Sequence, residues 1–323
     1  MNLVLRFLFD ASLVPAAALV LVGRYGGFDW LFDMTNYFRP HIAVVAVLFI
    51  VLALGAGGVL RLAASVILFG AALVPLLVPA LPAAAAAPQG NFRITTANVD
   101  GENRNFEAMK QMVAAAAPDI LIAQEAGWRW RPTISTLPGL PFVSDQSLDV
   151  TSSVMVASRY PITVSVVSLA AATKPTDDVG GSAALRIEVA RPDAPRPLVI
   201  YGIHPPTTRK ARGWIDRNSY LRAISILARG EPSGTDVIVA GDWNTPYWSP
   251  VLRAFMKRSQ LVTTERGAWP PPTRFFREAG LPPALGTPID RIAVSRKIGL
   301  AAIGVSRDFG SDHLAVTADL AIP

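Results

Sequence analysis

Residues 236–244, DVIVAGDWN, decide how the polar part of this chain is read. The apolar run from Val237 to Ala240 reads as a buried strand that runs into a loop. Gly241 permits an unusual backbone or a close approach of another chain segment. Asp242 and Asn244 follow at a spacing of two, and an extended backbone points such residues to the same side. In that arrangement one side chain accepts a proton from water while the other fixes the geometry. An Asx turn closing the strand is the competing reading of the same residues.

The same grammar recurs on both sides of this stretch. FRITTANV (92–99), DILIAQE (119–125), SVMVASR (153–159), ITVSVVSL (162–169), SAALRIEVA (182–190), PLVIYGIH (197–204), IDRIAVS (289–295) and HLAVTADL (313–320) read as strands. Residues 106–117 read as a helix stopped by Pro118, and residues 214–229 as a long helix. Continuous apolar strands mixed with alternating ones imply sheets buried on one face and covered by helices on the other, hence an α/β or α+β class compatible with two stacked sheets. Asn98, Glu125, His204, Asp242, Asn244, Asp290, Asp312 and His313 all fall at strand ends or strand starts. A rigid sheet holds such positions in fixed relation, which favours function there.

Composition divides the chain. It is 51% apolar and only 17% charged. Residues 1–89 carry Arg6, Arg24, Arg39, Arg61, Asp10, Asp29 and Asp33 as their charged groups, and the remainder carries the rest. Three apolar stretches, Leu3 to Val22, His41 or Ile42 to Leu60, and Leu62 to Leu81, approach the ~20 residues that span a bilayer as a helix. Arg6 and Asp10 interrupt the first, and Arg61 marks a tight hairpin between the second and third. A secretory signal would not be followed by two further spans. The few basic residues place Arg6 and Arg61 on the cytoplasmic side, the loop of residues 23–40 outside with Tyr25, Trp30, Tyr37 and Phe38 as an interfacial belt, and everything after Leu81 outside as well. The expected organisation is a membrane region over 1–82, a Pro/Ala/Gly linker over 83–90 and one large polar domain over 91–323.

The net charge of +6 suits an anionic substrate or lipid surface without marking a dense nucleic-acid stripe. The absence of cysteine excludes disulfides, thiolate metal sites and a cysteine nucleophile. Carboxylates at several strand ends suit a hard divalent cation, which neutralises phosphate and stabilises a leaving oxygen. Asp290 is placed to accept a hydrogen bond from His313, fixing its tautomer, although a surface pair with Arg291 is the simpler alternative. Arg209, Lys210, Arg212 and Arg217 follow His204 and read as a solvated helix start, with a second phosphate or anionic head group as the functional alternative.

The ordered set TANV, QE, SRYPI, YGIH, GDWN, ID and SDH, spread over about residues 92 to 320, resembles the endonuclease/exonuclease/phosphatase superfamily of DNase I-like enzymes. The resemblance implies a four-layer α/β/β/α sandwich and a Mg²⁺-dependent hydrolase of phosphate esters, with Mn²⁺ as a substitute. It implies that Glu125, Asp312 and Asn98 lie at the metal, and that His204, Asn98 and Asn244 contact the phosphate. Asp242 would orient or deprotonate water, with Asn244 as its partner, and Asp290 with His313 would face the phosphate. The membrane-anchored arrangement is similar to the bacterial VanJ-type branch, which implies a catalytic domain over 91–323 and a place in a bacterial inner membrane. The implied substrate carries phosphate and is lipid-linked or a nucleic acid, membrane lipids are the neighbours, and no protein partner is inferred. An anchored extracytoplasmic nuclease and a non-catalytic binding module on the same fold are the alternatives.

Overall fold

The structure is a computed structural model that describes residues 2–145, 147, 153–167, 169, 183–192, 194 and 196–323. It divides into two compact units, and the first is discontinuous in sequence: Met1–Ala80, Thr245–Arg253 and Arg266–Pro270. This unit is built on α1 (Asn2–Val22), α2 (Trp30–Met34), α3 (Arg39–Ala56) and α4 (Val59–Leu77). Leu3–Tyr25, Trp30–Ala56 and Val59–Leu77 are each helical, long and apolar enough to cross a membrane.

The turn between α3 and α4 is not at Arg61, where the charge pattern puts it. It lies at Gly57 and Gly58, whose φ angles of 72° and 104° favour glycine. Arg61 instead sits in the first turn of α4, where its Nε donates to Asp10 Oδ1 at 2.9 Å. Arg6 Nε donates to the carbonyl of Ala56 at 2.8 Å. The charges that interrupt the first apolar stretch are thus partnered within the helix bundle, as apolar surroundings require.

Between α1 and α3 the chain forms a polar knot. Asp29 caps α2, accepting the Leu31 N–H at 2.8 Å. Buried Arg39 donates to Asn36 Oδ1 at 3.0 Å and to the Val20 carbonyl at 2.6 Å. Buried Asp33 accepts the Ser249 hydroxyl at 2.7 Å, and the Trp248 indole N–H donates to the Pro75 carbonyl at 3.0 Å.

The second unit, Leu81–Asn244, Ala254–Glu265 and Pro271–Pro323, holds two six-stranded mixed sheets. In one, the order is β11 (Gly299–Val305), β12 (Val316–Ala321), β1 (Phe92–Asn98), β2 (Ile120–Gln124), β4 (Val154–Ser158) and β3 (Phe142–Val143). In the other it is β5 (Ile162–Val167), β6 (Ala184–Val189), β7 (Leu198–Ile203), β8 (Asp236–Asp242), β10 (Asp290–Val294) and β9 (Val262–Thr263). Ser168 and Ser182, which the sequence reading puts in strands, lie outside the described residues.

The sheets pack face to face through one apolar layer. Ile94, Ile122 and Val156 of the first meet Ile187, Ile200, Ile238 and Ile292 of the second, all buried. Outside the first sheet, α5 (Phe106–Ala116) buries Met109 and Val113 with Trp130. On the chain between β7 and β8, α7 (Ala211–Gly230) buries Tyr220, Leu221 and Ile224. It is the crossover of a parallel pair, as α5 is between β1 and β2. The short α6 (Arg131–Ile134) and α8 (Pro250–Ser259) are further helices among the described residues. The result is the expected α/β sandwich of two sheets flanked by helices.

Topology explains why the polar positions meet. β1 and β2 are parallel, and β7 and β8 are parallel, so Asn98, Glu125, His204 and Asp242 all emerge from carboxyl ends of strands. β10 runs antiparallel to β8 with Asp290 opposite Asp242, and β12 runs antiparallel to β1, which brings His313 to the same end.

Candidate active site

Glu125 follows β2 in the left-handed region at φ 55°, uncommon for a residue other than glycine. Its N–H donates to the Ser153 carbonyl at 2.9 Å, which holds the turn. Strain of this kind costs about 1–3 kcal/mol and persists where surrounding bonds over-determine it. Here it aims the carboxylate into a cleft of 460 Å³ lined by Asp100, His204, Arg209, Asp242, Asn244, Arg274, Asp312 and His313, among others.

Asn98 links two carboxylates: its Nδ2 donates to Glu125 Oε1 at 2.9 Å and to Asp242 Oδ2 at 3.2 Å. His204 Nε2 stands 3.6 Å from Glu125 and 3.8 Å from Asp242. Burial alone would raise the Glu125 pKa, but the His204 charge and the Asn98 bond outweigh it and hold the carboxyl below its ordinary value.

Asp242 is buried. Its Oδ1 accepts the Asn244 N–H at 2.8 Å, and its Oδ2 lies 3.8 Å from His313 Nε2. Burial, then the nearby charge of Asp290, raises its pKa. Asn244 corrects the extended-backbone argument. It has φ 45°, so it does not share a strand face with Asp242, and the bond from its N–H makes the Asx turn. Its carboxamide donates to the Pro205 carbonyl at 2.9 Å, tying the β8 exit to the β7 exit.

His313 Nδ1 is 2.8 Å from Asp290 Oδ2, as the pairing argument expects. Burial would lower the imidazole pKa, but the charges of Asp290 and Asp242 and the bond to Asp290 raise it to about 9. Arg291, which the alternative puts in a surface pair with Asp290, is fully buried, with its Nε 3.2 Å from Glu265. Asp312 is bound by Arg274 at 3.1 Å, with its Oδ1 3.8 Å from His313.

All eight residues singled out from the sequence therefore lie on one connected set of contacts. Arg274, Asp100, Ser153 and Ser311 are additions. Ser311 accepts the His313 N–H at 3.0 Å and donates to the Asn98 carbonyl at 2.8 Å, joining β1 to the last strand. Arg217, read from sequence as part of a solvated helix start, is fully buried. Its Nη1 donates to the Asn244 carbonyl at 2.9 Å.

The donor set fits a hard divalent cation. Carboxylates of Glu125, Asp312 and Asp100 line the cleft together, and burial plus the charges of Asp312, Glu125 and Glu102 raises the Asp100 pKa. Among the described residues, Asp242, Asp290 and His313 also bring one ligand atom each within 4.8 Å of one another, and Asp290 Oδ1 is buried without a hydrogen-bond partner.

The chain matches the Endonuclease/Exonuclease/phosphatase family over residues 95–313. No curated protein matches it. Among solved structures it is similar to a mannosyl-6-phosphatase of Bacteroides thetaiotaomicron, at 16% identity and a TM-score of 0.57, covering 72% of this chain and 100% of that one. It is similar to an endonuclease/exonuclease/phosphatase protein of Beutenbergia cavernae, at 18% identity and a TM-score of 0.55, covering 72% of both chains. A sphingomyelinase C of Streptomyces griseocarneus follows at 15% identity and a TM-score of 0.50, covering 72% of this chain and 99% of that one. At these identities the likeness speaks for the fold.

Proposed function

The chain belongs to the endonuclease/exonuclease/phosphatase family, and on that premise we propose that it is a divalent-cation-dependent phosphoesterase. It cleaves a phosphodiester or phosphoanhydride at the outer face of a membrane, in a lipid-linked substrate. The observation that carries this reading is the convergence of Glu125, His204, Asp242, Asp312 and His313 on one strand-end cleft, with Asp290 behind His313, from five separate places in the chain.

Glu125 is the residue to hold the cation, with Asp312 and the Asn98 carboxamide beside it. Asp242, Asp290 and His313 form a second group able to offer ligand atoms, with His313 Nδ1 already engaged by Asp290. When bound, Mg²⁺ or Mn²⁺ neutralises the phosphate and stabilises the departing oxygen. The chain does the rest. Asp242 Oδ2, flanked by both histidines at 3.8 Å, orients water and accepts its proton. His313, charged and fixed by Asp290, donates Nε2–H to a phosphoryl oxygen as charge builds there, and His204, at the same distance from Asp242, donates beside it. The Asn244 contribution runs through its backbone N–H, which holds Asp242, since its carboxamide is engaged by Pro205.

The lipid-linked choice is supported by the three apolar helices and by how little chain separates Leu77, the end of α4, from Phe92, the start of β1. The test is a substrate panel on the full chain in detergent: bis(p-nitrophenyl) phosphate, undecaprenyl pyrophosphate and single-stranded DNA, each with Mg²⁺, Mn²⁺ or EDTA. Cation-dependent turnover lost in Glu125→Ala and Asp242→Ala is expected. Turnover of DNA alone would replace the lipid reading with a nuclease, and no turnover of any phosphate ester would leave a binding module.

A further inference from the structure

Behind the cleft, one helix reaches both catalytic strand exits. Arg217 and Tyr220 lie three apart on α7, so they share a helix face, and both are fully buried. Arg217 Nη1 donates to the Asn244 carbonyl at 2.9 Å. The Tyr220 hydroxyl accepts the His204 N–H at 3.3 Å and donates to the Ala183 carbonyl at 3.3 Å. The two exits are also tied to each other by the Asn244 carboxamide on Pro205. Asn244 is held in a left-handed turn, and its N–H is what engages Asp242 Oδ1 and leaves Oδ2 facing the histidines. A guanidinium on the carbonyl of that residue and a phenol on the neighbouring backbone fix the two turns that aim Asp242 and His204.

We infer that Arg217 and Tyr220 are positioning residues, which set the aim of Asp242 and His204 through the backbone without touching substrate. A buried arginine is costly to a fold, and a packed apolar side chain would fill its place on the helix more simply. Here Arg217 donates to the carbonyl of a residue held in a left-handed turn. The inference rests on the phosphoesterase reading only for what the aimed groups then do.

The test uses the full chain in detergent with Arg217→Lys, Arg217→Met and Tyr220→Phe. Hydrogen exchange at the Asn244 amide should quicken about tenfold in the Arg217 variants, and at the His204 amide in Tyr220→Phe, with the Ile292 amide of β10 unchanged. On bis(p-nitrophenyl) phosphate, kcat should fall about tenfold with KM altered less than twofold and Mn²⁺ affinity as in the wild type. Placed on Asp242→Asn, Arg217→Lys should cost less than twofold more, because the group it aims is gone. Wild-type exchange at both amides, or an equal loss of kcat in both backgrounds, overturns the inference. Should Arg217→Met fail to fold, Tyr220→Phe, which removes one oxygen, decides. A wild type without phosphoesterase activity would sink the functional reading, while the exchange data would still judge the positioning.

Discussion

The Asp290–His313 pair makes stability depend on pH in a direction opposite to ordinary acid denaturation. Its histidine moves from an ordinary 6.5 to about 9 in the folded protein. Each tenfold change in proton affinity is worth 1.36 kcal/mol, so the pair contributes on the order of 3 kcal/mol while His313 is charged. Because the folded value is the higher one, that contribution is complete below about pH 6.5 and disappears as pH rises through about 9. Asp242, whose pKa is raised by burial and by Asp290, acts with the same sign. For a unit of this size, ~3 kcal/mol corresponds to roughly 6–12 °C in melting temperature. Tryptophan-fluorescence melting of the EDTA-treated chain in detergent at pH 6.0, 7.5 and 9.5 reads this directly. Melting temperature should fall across that range in the wild type, and the slope should largely vanish in Asp290→Asn and His313→Gln. A flat wild-type profile, or an equally steep one in His313→Gln, would refute the assignment of the proton to this pair.

Other outcomes are as definite. Glu125→Ala should weaken Mn²⁺ binding by at least about tenfold, measured by titration calorimetry, with the melting temperature of the metal-free protein little changed. Gly241→Ala should destabilise by about 3 kcal/mol or more, since a Cβ there would meet the Ile203 carbonyl oxygen at 2.0 Å; denaturation midpoints report it. Ser249→Ala should cost the first unit about 1–3 kcal/mol by withdrawing a 2.7 Å bond from buried Asp33, seen as a lower melting temperature. Glu188→Cys, at an exposed position in a chain without native cysteine, should be labelled by a membrane-impermeant maleimide in intact cells; labelling only after lysis would reverse the proposed orientation.

Much of the cleft is legible in the sequence because parallel strands deliver their carboxyl ends to one edge. Asn98, Glu125, His204 and Asp242 each terminate an apolar run, so their meeting follows once the runs are recognised as strands. What escapes has physical reasons. The left-handed turn at Asn244 is set by its bond to Asp242 and by Pro205, a contact across 39 residues that no local period encodes. β11, GLAAIGV, is rich in small residues and has a bulge between Leu300 and Ala302, which blurs its alternation. Arg217 looks solvated because its helix is polar on average, and its bond to the Asn244 carbonyl spans 27 residues, beyond any local pattern. Arg274 lies in a proline-rich loop without periodicity. In the apolar region, length locates three helices, but the glycine pair rather than the arginine sets where the chain reverses.

The discontinuity of the first unit bears on how this protein is produced and how it diversifies. Trp248 and Ser249 fall within a handful of residues of the Asp242–Asn244 turn, yet their partners, Pro75 and Asp33, belong to the N-terminal helices. A fragment trimmed to begin at Leu81 would keep the Ser249 hydroxyl while discarding its Asp33 acceptor, and would leave the Trp248 indole N–H to the Ala268 carbonyl. Grafting the hydrolase onto a foreign anchor would therefore demand matched replacements in two distant stretches of sequence, so the helices and the 245–253 segment are expected to be inherited as a set.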